Sequence, residues 1–511
     1  MKKMKKKLMA MLLMTGMAIS GLSGCGIESA DRTAQTGKST SFEEKSGEVE
    51  DAQEIATVTW VIRCNKQDDD EEVMEALNQI LREKYSLELN LISVTESEYN
   101  DRMNLMITSG EDWDLCYTAH WSNKFHDNVN RGAFLELNDL LENTETGREL
   151  MAIYPEGLTD IATVNGGIYA IPNYQLIYTQ TGAYIQKDLA DEFGLDADSI
   201  HSIVDLEPFM EWVRDNKEGI WPICEAMSFA SAWEGTEGSQ IYSNFVGVGV
   251  AIDDESLTVV HPMDTEEWYN KYKLLNSYYH RGFIRSDAAT AVDITADQAA
   301  NRYAVTIHTA KPGGEAEYET KYGKEYIQVP YGPMYLDYNA GISTMTAVNV
   351  NSRNPEAALK LLSVMWTDKE VYNMLLFGLE GKHYQKVAEN RVELIADSGY
   401  NRSSYGWMLG NQFNAWLLPG QADDVWEVTE ANNQAAEKSV LFGFSPDTTV
   451  VSAEFSQVSS VDKEFEKGYR YVENYDEWYN EYLEKRKLAG IDIIVEEMQK
   501  QVDVWKEANG K

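Results

Sequence analysis

Residues 58–118 alternate between strand-like and helix-like segments, and this alternation constrains the fold more than any other feature of the chain. Three segments rich in β-branched and other apolar residues are typical of strands: "VTWVIRC" (58–64), "LELNLISV" (87–94) and "DWDLCYT" (112–118). The two segments between them carry apolar residues at helical spacing. Strands and helices in this order predict an α/β fold with a parallel sheet covered on both faces.

The carboxyl ends of these strands carry the first candidate binding residues. In open parallel sheets, ligands bind beyond the carboxyl ends of the strands. Arg63 and Asn65 close the first predicted strand, and Thr118, His120 and Trp121 follow the third. The sequence therefore predicts a ligand site along this edge of the sheet.

The N-terminus has the layout of a secretory signal peptide. Five lysines are followed by about a dozen apolar residues and then small ones, and the apolar run is too short for a comfortable membrane span. The run ends in "LSGC" (22–25), which resembles a bacterial lipobox, where the cysteine is lipidated and begins the mature chain. We predict that residues 1–24 are removed and that Cys25 is lipidated. A plain signal peptide with a chance cysteine is the alternative.

Charge and composition limit the partners. Residues 25–54 are polar and charged without an apolar face, which predicts a disordered tether. The formal net charge is −40, and removal of residues 1–24 with their five lysines would leave −45. Such a chain is repelled by nucleic acid and by anionic membrane surfaces. The prediction is a protein held by its N-terminal lipid on the extracytoplasmic face of the cell membrane.

No catalytic or metal-binding motif stands out in the sequence. Zinc-protease, nucleophile-elbow, phosphate-loop and dinucleotide fingerprints are all missing, so we predict a protein that is not an enzyme and needs no cofactor or metal. Cys64, Cys116 and Cys224 are too few for a disulfide scaffold, and the first two are either one bridge or two buried thiols. Because so acidic a chain offers many carboxylate pairs, a glycan-acting enzyme remains an alternative.

Aromatic residues in polar loops suggest the kind of ligand. The chain has 13 Trp, 29 Tyr and 14 Phe. Several lie among Asn, Gln, Ser and Gly, and these are Trp121, Tyr174, Trp233, Tyr405, Trp407 and Trp416. Rings offer an apolar face to the C–H groups of a sugar, and the polar neighbours can bond its hydroxyl groups. A sugar cleft is therefore predicted, with surface or interlobe packing as the alternative for each ring.

The order of motifs along the chain resembles a known family. The lipobox and tether are followed by "VTWVIRC", "GGIYAIPNY" (166–174) and "YIQKDLADEFGL" (184–195), and later by "NAGISTMTAVNVNSRNPEAALKLLSVMWTDKEVYNMLLFG" (339–378). Together they resemble family 1 extracellular solute-binding proteins of bacterial ABC importers. The resemblance covers nearly the whole chain, including the closing segment "YLEKRKLAGIDIIVEEMQKQVDVWKEANG". It implies a type II, two-lobed periplasmic-binding-protein-like (Venus-flytrap) fold, with crossing hinge segments and a sugar bound between the lobes.

The resemblance also implies a set of ligand-binding residues. By position it adds Tyr174 and Gln175 on a crossing segment, Trp233 in a loop of the second lobe, and Lys311 after a second-lobe strand. The full expected set is Arg63, Asn65, His120, Trp121, Tyr174, Gln175, Trp233, Lys311, Tyr405 and Trp407. Because Lys311 stands where family members often have an aromatic residue, an acidic glycan becomes an alternative to a neutral one.

The implied organisation has two discontinuous lobes. Lobe 1 is expected at 55–172 and again at 327–385, and lobe 2 at 173–326, with 386–511 mostly in lobe 2 together with closing helices. The expected function is capture of a carbohydrate by a monomer that delivers it to the separate permease subunits of an ABC importer. A ligand-sensing partner of a membrane receptor is an alternative function.

Overall fold

The computed structural model describes residues 55–155, 158–159, 162–164, 166–224, 239–290, 294–465 and 468–510. The predicted signal peptide, Cys25, the tether and Trp233 lie outside the described residues. The strands are β1 (Ala56–Arg63), β2 (Leu87–Val94), β3 (Leu115–Thr118), β4 (Thr163–Val164), β5 (Gly167–Ile168), β6 (Ile171–Pro172), β7 (Thr179–Gln186), β8 (Trp221–Ile223), β9 (Tyr242–Phe245), β10 (Val248–Ala251), β11 (Tyr303–Thr309), β12 (Tyr326–Leu336), β13 (Met345–Val348), β14 (Tyr384–Ala388), β15 (Arg391–Leu394) and β16 (Glu437–Lys438).

Helices flank these strands throughout the described chain. They span Asp70–Tyr85, Tyr99–Ser109, Phe125–Asn130, Asn138–Asn143, Glu145–Ile153, Lys187–Phe193, Glu207–Asn216, Glu266–His280, Thr295–Ala299, Gly314–Tyr322, Pro355–Thr367, Lys369–Phe377, Val425–Ala435, Ser452–Phe465, Gly468–Tyr471, Tyr475–Leu488 and Ile491–Ala508.

Local sequence accounts for several of these boundaries. One helix begins at Pro355, where the missing N–H costs nothing because the first turn has no partner for it. The next helix is capped by Asp368, whose carboxylate accepts the backbone N–H groups of Glu370 and Val371 at 2.8 and 3.1 Å. The Asp368 cap explains how the second helix can begin a single residue after the first one ends.

Lobe 1 is built on a five-stranded sheet in the order β2-β1-β3-β13-β6. Strand β1 pairs in parallel with β2 and β3, as the alternating sequence predicted, while β13 is antiparallel to both β3 and β6. Helices cover the sheet, and Trp60 at its centre is fully buried. Because β1, β2 and β3 run in parallel, Arg63, Glu96 and Thr118 come to the same edge of the sheet.

Lobe 2 has its own five-stranded sheet in the order β16-β12-β7-β11-β8. Strand β7 lies between β12 and β11 and is antiparallel to both. The core on this sheet includes aromatic residues of the helix Tyr475–Leu488, which pack among apolar residues of β7 and β11 and their helices. A separate, smaller core joins β9 and β10 to the last helix, Ile491–Ala508.

Three chain segments pass between the two sheets: 173–178, 337–344 and 419–436. The first two are joined where Asn173 donates its backbone N–H to the carbonyl of Thr344 (3.0 Å) and its amide to the Thr344 hydroxyl (2.9 Å). The first and third are joined by Asn433, whose amide donates to the carbonyl of Gln175 (2.9 Å). The crossing segments therefore form one hydrogen-bonded hinge.

Two of the expected boundaries between lobes differ from the structure. Strand β12 belongs to the sheet of lobe 2, so the return to lobe 1 begins after Leu336 rather than at residue 327. Residues 391–418, expected mostly in lobe 2, pack on lobe 1 through Val392, Met408 and Leu418. Their sequence lacks a long periodic helix or strand, and only tertiary packing assigns them to a lobe.

Two further features bear on the sequence-based expectations. Cys64 and Cys116 are free, buried thiols, which decides between the two alternatives for this pair. Among the described residues, no helix combines the length and apolar composition that a membrane span requires.

Candidate functional site

Three aromatic rings lie together at the carboxyl edge of the lobe 1 sheet. Trp121 follows β3, and its ring centre lies 6.0 Å from that of Tyr117 and 6.2 Å from that of Trp407. Tyr117 and Trp407 meet edge to face at 5.6 Å. Trp121 is 43% exposed although it is a large apolar side chain. We call Tyr117, Trp121 and Trp407 the aromatic cluster.

An arginine covers one face of this cluster. The guanidinium of Arg63 lies 4.9 Å from the ring centre of Trp121, within the range of a cation–π contact. The same guanidinium forms an ion pair with Glu96 at 2.8 Å. Tyr405 also reaches Glu96, with 3.4 Å between its hydroxyl and the carboxylate. Arg63 is thereby held in place and its charge is matched by a carboxylate.

The loop after β3 is tied to the second crossing segment. The indole N–H of Trp121 donates to the carbonyl of Ser343 at 2.9 Å, and the backbone N–H of His120 donates to that of Ile342 at 2.9 Å. Thr344 in turn donates its hydroxyl to the carbonyl of Trp407 at 3.1 Å. Trp121, by its ring, and Trp407, by its backbone, are therefore hydrogen-bonded to a segment that joins the lobes.

The His120 imidazole is largely buried beside Trp121. Burial lowers the pKa of His120 to about 4, and the contact of its Nδ1 with the carbonyl of Ile342 only partly opposes this shift. The ring is therefore neutral at neutral pH. It serves here as a polar, uncharged group rather than as a cation.

A cavity of about 670 Å³ lies between the lobes, next to this edge of the sheet. Lobe 1 contributes residues 66–68 after β1 and residues 393–401, while lobe 2 contributes Glu319 and Thr320. Gln67 connects the cavity to the end of β1 because its amide donates to the carbonyl of Asn65 at 3.1 Å. We call this space the interlobe cavity.

One wall of the interlobe cavity requires a glycine. Gly399 has φ +89°, and its carbonyl accepts the backbone N–H of Asp69 at 3.1 Å. A Cβ at this position would come within 2.7 Å of the Asp69 carboxylate. The adjacent Arg402 is fully buried and reaches Asp70 at 2.7 Å, which fixes the wall to the start of the first helix.

The structure distributes the predicted residues over three places. Arg63, His120, Trp121, Tyr405 and Trp407 come together around the aromatic cluster, with Asn65 exposed nearby. Trp233 lies outside the described residues, so its role as a ligand contact stays a prediction.

Tyr174 and Gln175 are not at this cluster. Tyr174 stacks on Trp366 with ring centres 5.8 Å apart and donates its hydroxyl to Glu430 at 2.7 Å, so it joins the hinge to lobe 1. The carbonyl of Gln175 is bonded to Asn433. Both residues therefore have contacts within the hinge.

Lys311 lies on lobe 2, where its ammonium forms an ion pair with Glu317 at 2.6 Å. Its backbone carbonyl accepts the amide of Gln328 at 2.9 Å. Its charge is thus already matched by a carboxylate of the next helix.

Sequence reasoning missed two residues of this region, Tyr117 of the aromatic cluster and Glu96 beside it. Tyr117 is fully buried within β3, where its ring contacts both the exposed Trp121 and the half-buried Trp407. Glu96 follows β2, and the parallel arrangement of β1 and β2 could have placed it beside Arg63, because their carboxyl ends share one edge. Tyr117 has no comparable signal, because a strand aromatic is ordinarily a core residue.

Comparisons with known proteins agree with this fold. A carbohydrate ABC transporter substrate-binding protein of Streptococcus pneumoniae serotype 4 is 23% identical over 448 residues, covering 86% of this chain and 89% of that protein. Residues 440–507 match a family described as a domain of unknown function, DUF3502. This segment contains nearly all of the last helix and part of the small core that the helix forms with β9 and β10.

Solved structures give the same result. The N-glycan transport solute binding protein NgtS of Streptococcus pneumoniae has a TM-score of 0.76 at 22% identity, covering 89% of this chain and all of that one. Its complex with Man5GlcNAc has a TM-score of 0.73 at 21% identity, covering 89% and 99%. The alginate-binding protein AlgQ2 has a TM-score of 0.61 at 16% identity, covering 88% and 98%.

Together these comparisons confirm the two-lobed α/β fold. The sequence-based resemblance of this chain to the extracellular solute-binding proteins of bacterial ABC importers is confirmed.

Proposed function

We propose that this protein is an extracellular solute-binding protein that captures an oligosaccharide between its two lobes and delivers it to an ABC importer. The main support for the proposal is the exposure of the Trp121 ring at the carboxyl edge of the lobe 1 sheet. Keeping an indole 43% exposed has no benefit for folding, whereas a sugar ring can stack on it. The names of the similar proteins, which include carbohydrate and N-glycan binders, support the same ligand class.

The proposed mechanism is capture by closure. Trp121 and His120 are hydrogen-bonded to Ser343 and Ile342 of the crossing segment, so a ligand that stacks on the cluster acts next to the hinge. Contacts from both lobes exist together only when the lobes are close, and a ligand that makes them shifts the population towards that state. The closed protein is the form that permease subunits would recognise.

The remaining parts of the proposal concern the location of the protein. We infer that Cys25 carries the lipid and that the mature monomer is anchored on the extracytoplasmic face, because "LSGC" ends the apolar run and a polar tether follows. Two or more acyl chains anchor stably, whereas one chain holds only marginally. Cys25→Ser should release the protein from the membrane fraction, and wild type found unmodified in the culture fluid would contradict this inference.

Binding is tested by a thermal-shift and calorimetry panel on the full chain. The panel contains Man5GlcNAc, kestose, maltotetraose and an alginate tetrasaccharide, with ATP as an unrelated solute. A true ligand at 100 times its dissociation constant stabilises the protein by about 2.7 kcal/mol, which raises the melting temperature measurably. Absence of any shift with all four saccharides would contradict the proposed function.

The same samples separate the proposal from its alternatives. A binder leaves the saccharide intact, so release of smaller sugars on incubation would favour a glycan-acting enzyme. Small-angle scattering at saturating ligand should give a smaller radius of gyration than the free protein. An unchanged radius in a protein that is demonstrably open without ligand would contradict capture by closure.

A further inference from the structure

The fold alone leaves the charge of the ligand undecided. Structures similar to this one include an alginate-binding protein and a complex with Man5GlcNAc. Alginate is a polymer of uronic acids and carries a carboxylate on each sugar, whereas Man5GlcNAc is neutral. Selection between the two kinds of ligand must come from side chains, so the charges around the site of this chain are informative.

Acidic side chains outnumber basic ones in the lining of the interlobe cavity. Its lining contains four acidic residues and one lysine, a formal excess of three negative charges; these residues are Lys66, Asp68, Glu319, Glu393 and Asp397. None of the four carboxylates forms an ion pair with another residue of the described ranges. A ligand that enters the cavity therefore meets a negative field.

Arg63 and Lys311, the two cations that the sequence analysis placed at the site, are already paired, and Lys66 of the lining is already counted in the excess of three negative charges. Arg63 forms its ion pair with Glu96 at 2.8 Å, and Lys311 forms its own with Glu317 at 2.6 Å. An anionic sugar would have to displace one of these carboxylates or bind beside it. Arg63 and Lys311 therefore contribute little net positive charge.

We propose that the cleft selects uncharged oligosaccharides and rejects acidic ones, and that Glu319 and Asp397, on opposite sides of the interlobe cavity, set this selectivity. This inference rests on the proposed function. At 0.1 M salt the Debye length is about 10 Å, comparable with the dimensions of the cavity, so repulsion inside it is only partly screened. We expect an acidic glycan to bind at least about tenfold more weakly than its neutral counterpart.

A matched pair of ligands tests the proposal. Calorimetry on the full chain compares Man5GlcNAc with the same glycan carrying one 6-phosphate on a terminal mannose. If another neutral member of the panel binds instead, the pair is formed from that saccharide and its singly phosphorylated form. The ratio of the two dissociation constants is measured at 50 and at 500 mM NaCl, because charge repulsion weakens with salt while a steric clash does not.

Variants assign the effect to residues. The double variant Glu319→Gln and Asp397→Asn should lower the ratio of the dissociation constant for the phosphorylated glycan to that for the neutral glycan at least threefold. The dissociation constant for the neutral glycan should change less than that for the phosphorylated one. Glu484→Gln is the control, because Glu484 is exposed on the helix Tyr475–Leu488 and does not line the cavity. This control should leave the ratio unchanged.

The outcomes separate the inference from the proposed function. A phosphorylated glycan that binds as tightly as the neutral one, or an alginate tetrasaccharide that binds while neutral members do not, overturns the inference and leaves the proposed function standing. A ratio that responds neither to salt nor to the double variant also overturns it, since rejection is then steric. If no saccharide binds, the proposed function fails and the inference fails with it.

Discussion

Two groups of aromatic residues in this protein have similar chemistry and opposite surroundings. The aromatic cluster of lobe 1 leaves Trp121 43% exposed, with a guanidinium above its ring. In lobe 2, the helix Tyr475–Leu488 buries Trp478 to 8% exposure, stacked on Tyr482 with ring centres 5.3 Å apart. An aromatic side chain therefore indicates neither core nor site by itself. Its exposure and its contacts show whether it belongs to the core or to a binding site.

The largest expected effect is on the buried ring. Trp478→Ala should lower the free energy of unfolding by about 3–5 kcal/mol, because a packed tryptophan leaves a cavity that the helix cannot fill. Affinity for the ligand, measured in the folded fraction, should not change. Denaturant unfolding and calorimetry on the same preparation measure both quantities. If Trp478→Ala weakened ligand binding without lowering stability, the aromatic residues around Trp478 would belong to a binding site and not to the core.

Trp121→Ala should show the opposite pattern. We expect the dissociation constant to rise about tenfold to hundredfold, which corresponds to about 1–3 kcal/mol if sugar stacking resembles base–aromatic stacking. Stability should fall by only about 1–2 kcal/mol, since the ring is 43% exposed and loses one hydrogen bond to Ser343 together with its contacts to Tyr117 and Trp407. Trp212→Ala is the control, because Trp212 is half-buried against Phe193 and Phe209 in lobe 2. If Trp121→Ala and Trp212→Ala lost affinity equally, Trp121 could not be assigned to the ligand site by this test.

The pH dependence of stability tests the buried imidazole beside the cluster. The pKa of His120 is about 4 in the folded protein and near the ordinary histidine value of 6.5 in the unfolded chain. A lowered folded pKa means that the unfolded state binds the extra proton. Stability from this residue is therefore present above pH 6.5 and is lost as the pH falls towards 4.

Between pH 7 and pH 5 this loss should amount to about 1–2 kcal/mol, less than a fully buried imidazole would give. His120→Gln keeps a polar side chain and should remove that part of the slope. Chemical denaturation of both proteins at the two pH values gives the difference directly, so that carboxylates common to both cancel. Parallel slopes in the two proteins would mean that His120 is solvated.

The smallest expected effect is that of the cation above the ring. Arg63→Met keeps the aliphatic part of the side chain and removes the guanidinium, so it removes a cation–π contact and an ion pair worth about 0.5–1 kcal/mol each at such sites. Affinity for a neutral glycan should change less than threefold. Arg102→Met is the matched control, since Arg102 forms an ion pair with Glu111 at 2.7 Å. A much larger loss of affinity for Arg63→Met would make Arg63 a direct ligand contact.

Much of the fold could be predicted from local sequence. The strand Leu87–Val94 has the predicted bounds, because β-branched and apolar residues alternate between turn residues there. The pairing of helices around Asp368 follows from one proline and one capping carboxylate. The carboxyl edge of the sheet, with Arg63 and Trp121, follows from the parallel order of β1 and β3.

Residues far apart in sequence were less predictable. The segment 391–418 has no periodicity that assigns it to a lobe, yet it places Trp407 beside Trp121, 286 positions earlier in the chain. Tyr174 lies in a polar loop as Trp121 does, but its hydroxyl meets Glu430 and its ring stacks on Trp366. Both loops combine an aromatic residue with polar neighbours, and only their long-range contacts show that Tyr174 lies in the hinge and Trp121 at the candidate site.

Local sequence was enough to predict the class of fold, the order of the elements and the residue types at the edge of the sheet, because periodicity, caps and turns act within a few residues. Which side chains meet, and which charges are matched, depends on the packing of segments that are distant in the chain. Lys311 shows the difference: its sequence position suggested an attraction for acidic sugars, whereas its ion pair with Glu317 removes most of that charge. Coulomb interactions depend on distance in space, and the distance between two side chains is set by the packing of the whole lobe.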